Sequence, residues 1–208
     1  MTKAQVTLKV NGVLRDVWVS PSDLLLDVLH DGLGLGEVRY GCGEGVCGTC
    51  TILLDGEPVS ACLTLAVQAE GHDVTTLSAL LGEDDSLHPL QQAFLRLGGS
   101  QCGFCTPGVI LTAHSLIRRE RAPSREQIRY ELVGNLCRCT GYTKILDSIE
   151  AYIAGLGAEH ADPAGTAGPG TGDHRLGEPG TDGPGTAGPG TDGPGTDGPG
   201  TDAAGEAP

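Results

Sequence analysis

Eight cysteines fall into two sets of four with none left over: Cys42, Cys47, Cys50 and Cys62, then Cys102, Cys105, Cys137 and Cys139. Nothing else in the chain constrains its fold as tightly, because each set requires separate segments to deliver four sulfurs to one place. The first set reads C-x4-C-x2-C followed by a distant fourth cysteine, and the second pairs a C-x2-C with a later C-x-C. Cysteines clustered in this way are either the disulfides of a small secreted domain or thiolate ligands in a reducing compartment. Met1 to Trp18 alternates polar and apolar residues like a strand, without a charged-then-apolar leader, and no apolar run reaches spanning length. A cytoplasmic location without membrane insertion is therefore expected, with the cysteines serving as metal ligands.

Composition separates a folding part from a tail. From Ala158 onward the chain is mostly Gly, Pro, Thr, Ala and Asp, with G-P-G-T-D or G-P-G-T-A recurring at intervals of five. Such a segment offers no apolar surface to offset its ordering entropy, so residues 158–208 are expected to be a disordered low-complexity tail. Those residues carry nine acids against Arg175, a net charge of −8 out of −14, which leaves −6 for residues 1–157. An acidic chain without a basic face is repelled by phosphate backbones, which excludes nucleic acid as an expected partner.

Two patterns follow one another in the folding part. Val6–Val10 and Val13–Val19 alternate around Asn11-Gly12, a dipeptide suited to a tight hairpin turn. Ser20-Pro21-Ser22-Asp23 then predicts a helix start with Ser20 as N-cap, ahead of Leu24, Leu25, Val28 and Leu29. Thr51–Leu54 and Val59–Leu65 around Asp55-Gly56 read as two further strands, with Val74–Leu77 closing a small mixed sheet on one helix. From Leu80 the apolar period becomes helical. Pro89 opens one segment that Gly98-Gly99 stops, Thr106-Pro107 opens a second, Ser124 and Gln127 form a capping box for a third, and Thr143 caps a fourth. The expected architecture is α+β: a sheet domain over residues 1–79, a four-helix bundle over 80–157, then the tail. Each domain is small enough for a metal site to help hold it together.

Gly41-Cys42-Gly43-Glu44-Gly45-Val46-Cys47-Gly48-Thr49-Cys50 supplies three sulfurs from one glycine-rich loop, the spacing of a plant-type [2Fe-2S] centre. Glycine lets backbone N–H groups turn inward toward an anionic cluster, and Cys62 is expected to arrive from a facing strand. A zinc knuckle is the alternative for C-x2-C. In the second set, Cys102 and Cys105 precede a helix start, whose exposed N–H groups favour thiolates. Cys137 and Cys139 are expected to end the Ser124 helix. A zinc site or a thioredoxin-like dithiol remains open there. His30, His72, His88 and His114 have no ligand spacing, and no phosphate-binding loop, dinucleotide fingerprint or Ser-His-Asp set is present. The chain is thus suited to carrying electrons rather than to binding an organic substrate.

Three strings resemble a known family. Tyr40-Gly41-Cys42 through Cys47-Gly48-Thr49-Cys50-Thr51, Gln101-Cys102-Gly103-Phe104-Cys105-Thr106-Pro107-Gly108, and Asn135-Leu136-Cys137-Arg138-Cys139-Thr140-Gly141-Tyr142 are similar to the iron-sulfur subunit of molybdenum hydroxylases. This is the xanthine dehydrogenase, aldehyde oxidoreductase and carbon-monoxide dehydrogenase family, and the likeness covers residues 4–156. It implies a ferredoxin-like β-grasp domain and a four-helix bundle, each with one [2Fe-2S] cluster held by one cysteine set. It further implies a molybdopterin-binding large subunit and an FAD-binding medium subunit as partners, with Gln101 and Cys139 beside the pterin. Stretches 54–59 and 67–72 look closest to the xanthine dehydrogenase branch. A free-standing ferredoxin-like carrier and a zinc-binding interaction module are the competing readings. The sheet-domain cluster is expected to be the more exposed of the two.

Overall fold

The first hairpin forms as its turn dictates. Asn11 and Gly12 take positive φ of 50° and 78°, which sets the strands β1 (Ala4–Val10) and β2 (Val13–Val19) in antiparallel register from Val10 opposite Val13 to Ala4 opposite Val19. Val6, Leu8 and Val10 bury alternate positions of β1, whereas β2 is mostly exposed. The computed structural model describes residues 2–159, with side chains described for residues 2–156. The expectation of a disordered tail lies outside the described residues, apart from its first two.

The sheet is five-stranded in the order β2-β1-β5-β3-β4, where β3 is Thr51–Leu54, β4 is Glu57–Ser60 and β5 is Asp73–Thr75. β5 runs parallel to β1, and the other pairings are antiparallel. A short helix, α1 (Leu25–Asp27), continues as a π-helical turn over Val28–Gly32 and lays Leu25, Leu26 and Leu29 against Val6, Leu8 and Ile52. Each of these side chains, fully buried, contributes about 1.5–3 kcal/mol.

The helix starts later than its sequence predicts. Ser20 does not cap it: the Ser20 N–H donates to Asp23 Oδ2 at 2.8 Å and closes a turn instead. Leu24 is then extended and bridges Leu65, so the first helical residue is Leu25. The strand expected over Val59–Leu65 is also shorter. It stops at Ser60, and Ala61–Leu63 winds into a 3₁₀ turn held by Thr64 Oγ1 donating to the Ser60 carbonyl. Cys62 therefore sits on a turn and not on a strand.

Four helices follow: α2 (Pro89–Leu97), α3 (Thr106–Arg119), α4 (Arg125–Glu131) and α5 (Thr143–Glu159). Gly98 ends α2 in the left-handed conformation, and the Ser124–Gln127 capping box opens α4 as expected. Leu90, Phe94, Ile110, Ile128, Ile145 and Ile149 form the centre of a second hydrophobic core. α4 ends at Glu131 and is followed by a 3₁₀ turn over Leu132–Gly134, so Cys137 and Cys139 lie in irregular chain beyond it and do not end the helix. Val133, on that 3₁₀ turn, is 72% exposed. Sheet core and helical core belong to one compact unit, and no described helix is long and apolar enough to cross a membrane.

Candidate metal centres

Each cysteine set comes together as two pairs. In the first, the Cys42 and Cys47 side chains act on one another, as do Cys50 and Cys62, with Cys47 also acting electrostatically on Cys50. In the second, Cys102 meets Cys139 and Cys105 meets Cys137, with Cys102 and Cys137 within electrostatic reach of one another. All eight are free thiols, so the disulfide alternative is not realised. Among the described residues no three His, Cys, Asp or Glu side chains converge as ligands of a single ion. A diiron cage shares four thiolates between two irons, whereas a zinc site draws all four around one point.

Local structure explains how the first set forms. Gly43, Gly45 and Gly48 have positive φ, so the loop can curl around its own sulfurs, and the Glu44 N–H donates to Cys42 Sγ at 3.3 Å. Space is equally restrictive. A Cβ on Gly41 would stand 2.7 Å from Cys47 Sγ. The Cys62 turn is fastened below by the Ala61 N–H donating to the Cys50 carbonyl at 3.3 Å.

In the second set Cys105 is itself the N-cap of α3, its carbonyl accepting from Val109 N–H at 3.1 Å. The sequence placed the cap one residue later, at Thr106, whose hydroxyl instead meets Ser100 Oγ at 3.0 Å. Cys137 is positioned by Tyr142, which takes a positive φ of 67°. The Tyr142 hydroxyl accepts from the Cys137 N–H at 2.9 Å and donates to the Asn135 carbonyl at 3.1 Å. Cys137 Sγ also meets Thr140 Oγ1 at 3.1 Å.

The thiols are electrostatically unequal. Backbone donation from Glu44, then the Cys47 side chain, lowers the Cys42 pKa to about 6. Burial raises Cys50 to about 11 and Cys105 to about 12. The Phe104 N–H lowers Cys102, and its neighbour Cys139 is raised by Cys102. For Cys137 burial acts upward but is outweighed by donors from Thr140. In the second set, Cys102 and Cys137 are thus ready to ionise ahead of Cys139 and Cys105.

Exposure runs opposite to expectation. Cys50 and Cys62 are buried, while Cys102 and Cys139 are exposed, so the sheet-domain set is the more covered one in this chain. The cause is the sheet itself, since Cys50 adjoins β3 and both residues join its core. Gln101 is exposed beside Cys102. His72 pairs with Asp55 at 2.6 Å and His30 bonds the Val38 carbonyl at 2.8 Å, so neither joins a cysteine set.

Three residues that sequence reasoning missed tie the sets together. Asn135 Nδ2 donates to the Gly48 carbonyl at 3.1 Å, the Leu136 N–H donates to the Cys47 carbonyl at 2.8 Å, and Arg39 donates to the Gly103 carbonyl. Asn135 and Leu136 stood in a family-like string without an assigned role, and Arg39 lies three residues before Cys42.

Residues 8–78 match the model of a 2Fe-2S iron-sulfur cluster binding domain, and residues 76–150 match that of a [2Fe-2S] binding domain. The chain is 46% identical over 145 residues to the nicotinate dehydrogenase small FeS subunit of Eubacterium barkeri, covering 70% of this chain and 92% of that one. It is 44% identical over 146 residues to a probable xanthine dehydrogenase subunit of Bacillus subtilis, covering 70% and 83%. Among solved structures, quinoline 2-oxidoreductase from Pseudomonas putida 86 has a TM-score of 0.71 at 43% identity, covering 77% of this chain and 99% of that one. Aldehyde oxidoreductase from Desulfovibrio desulfuricans also has a TM-score of 0.71, at 46% identity, but only 18% of its chain is covered.

Proposed function

The chain belongs to the [2Fe-2S] iron-sulfur subunits of the molybdenum hydroxylase family, and from that premise we propose which of its residues serve that role and how. Its function is electron transfer within an oxidoreductase complex. We assign Cys42, Cys47, Cys50 and Cys62 as ligands of one cluster and Cys102, Cys105, Cys137 and Cys139 as ligands of the other. The two-plus-two pairing of thiols in both sets carries this assignment. A bound [2Fe-2S] cluster supplies a one-electron carrier; two of them split a two-electron oxidation into single steps.

The chain's own residues supply the cage and its surroundings. Glycine loops and the Glu44 and Phe104 amides offer donors to sulfur, which favour the anionic state and set the potential. Tyr142, Thr140 and Asn135 fix the second loop, and the sheet core excludes water from Cys50 and Cys62. Tyr40, Val46, Leu63, Phe104 and Leu136 are exposed apolar residues in or beside the cysteine segments. Apolar surface concentrated there suits docking of other subunits against the redox ends.

In this reading the subunit relays electrons from a molybdopterin-binding large subunit, on the side of Gln101 and Cys139, toward an FAD-binding medium subunit, on the side of Cys42. Residues 1–79 form a β-grasp domain and 80–157 a four-helix bundle, in a cytoplasmic complex of xanthine dehydrogenase type. Purifying the native assembly through a tag on this chain tests the reading. Molybdopterin- and flavin-containing chains should co-purify; recovery of this chain alone, with its iron intact, would contradict a subunit role and favour a free carrier.

A further inference from the structure

We propose that Arg39 is a positioning residue common to both cysteine sets: its guanidinium clamps the Cys102–Cys105 turn to the segment entering Cys42 and fixes a positive charge beside the second set. Arg39 lies three residues before Cys42 and is half-buried. It donates to the Gly103 carbonyl, and its guanidinium carbon lies 5.5 Å from the centroid of the Phe104 ring. Both contacts fall between Cys102 and Cys105. Gly103 has a positive φ of 79°, a conformation that the clamp helps to hold. Phe104 lies between Cys102 and Cys105, so restraining it restrains the backbone that joins these two assigned ligands.

Arginine is suited to this place for two reasons. Its planar group can stack on a ring while donating in its own plane, which an ammonium cannot do together. Its charge is also permanent. A fixed cation near an anionic cage stabilises the more negative, reduced form, and half-burial limits solvent screening of that effect. From the other side, Leu136 and Asn135 tie the second set to Cys47 and Gly48. The two loops therefore clasp each other reciprocally, and Arg39 is the member that brings charge.

The inference rests on reading Cys102, Cys105, Cys137 and Cys139 as iron ligands. EPR-monitored redox titration of the assembled protein, with amide exchange across residues 102–105, tests it in Arg39→Gln and Arg39→Lys. Arg39→Gln should lower the midpoint of the second-set centre by up to tenfold in the reduced-to-oxidised ratio, about 59 mV for one electron, and speed exchange at Phe104. Arg39→Lys should keep most of the potential and lose the slow exchange. Arg39→Gln with full iron, unchanged midpoint and unchanged exchange overturns the proposal. If Arg39→Gln does not fold, Phe104→Leu decides: faster exchange in the 102–105 turn supports the clamp, and wild-type exchange overturns it. Iron absent from the wild-type second set would instead contradict the ligand assignment, and exchange in the iron-free chain still decides the clamp.

Discussion

Asn135 and Gly48, 87 residues apart in sequence, are joined by a buried hydrogen bond of 3.1 Å from the asparagine amide to the glycine carbonyl. Asn135 is 3% exposed and lies two residues before Cys137; Gly48 directly follows Cys47. The bond thus spans the two cysteine sets where backbones touch, and a Cβ on Gly48 would stand 2.2 Å from the Gly134 carbonyl oxygen. Asn135→Ala should cost about 1–3 kcal/mol, the penalty of a lost buried partner. Gly48→Ala should cost about 3 kcal/mol or more, since positive φ and a backbone clash act together. Chemical denaturation of both variants checks the order.

Tyr142 bridges the ends of the second cysteine loop by accepting from Cys137 N–H and donating to the Asn135 carbonyl. Tyr142→Phe keeps the ring and removes both bonds. It should lower stability by about 1–2 kcal/mol and broaden the EPR signal of the second centre while leaving the first unchanged.

Acid should weaken the helical region through His114. Its ring packs edge-on to His88 at 5.5 Å, and burial, followed by the charges of His88 and Arg118, lowers its pKa to about 4. Burial lowers His88 in the same direction. An unfolded histidine titrates near 6.5, so between about pH 6.5 and 4 the unfolded chain binds more protons than the fold. Stability therefore falls as pH drops through that window. After discounting for partial exposure, His114 accounts for about 1–2 kcal/mol. Thermal midpoints at pH 7 and pH 4.5 should differ less in His114→Phe than in the wild type.

Much of this architecture was legible in the chain because its determinants are local. Asn11-Gly12 fixed the hairpin register, Ser124 and Gln127 the start of α4, Gly98 the end of α2, and cysteine spacing the grouping into two sets. What failed depended on distant partners. Ser20 loses its capping role to a turn with Asp23 once Leu24 pairs with Leu65, and Cys62 leaves its strand because Thr64 closes a 3₁₀ turn onto Ser60 and Ala61. Relative exposure was misjudged because the sheet core that covers Cys50 and Cys62 has no local signature. Arg39 and Gly103 are 64 residues apart, so no periodicity could have linked them.

That reversal of exposure predicts an order of metal loss. Cys102 and Cys139 are open to solvent, whereas Cys50 and Cys62 are buried. A hydrophilic iron chelator applied to the isolated chain should strip the second centre first, read as selective decay of one of two EPR signals. Loss of both at one rate would contradict the burial argument.

Metal analysis with EPR of the purified, dithionite-reduced chain tests the central assignment most directly. The two-plus-two thiol pairs predict about four iron and four acid-labile sulfide per chain and two separable signals, with Cys47→Ser abolishing one and Cys137→Ser the other. Stoichiometric zinc, or a colourless iron-free protein without either signal after anaerobic purification, would contradict it.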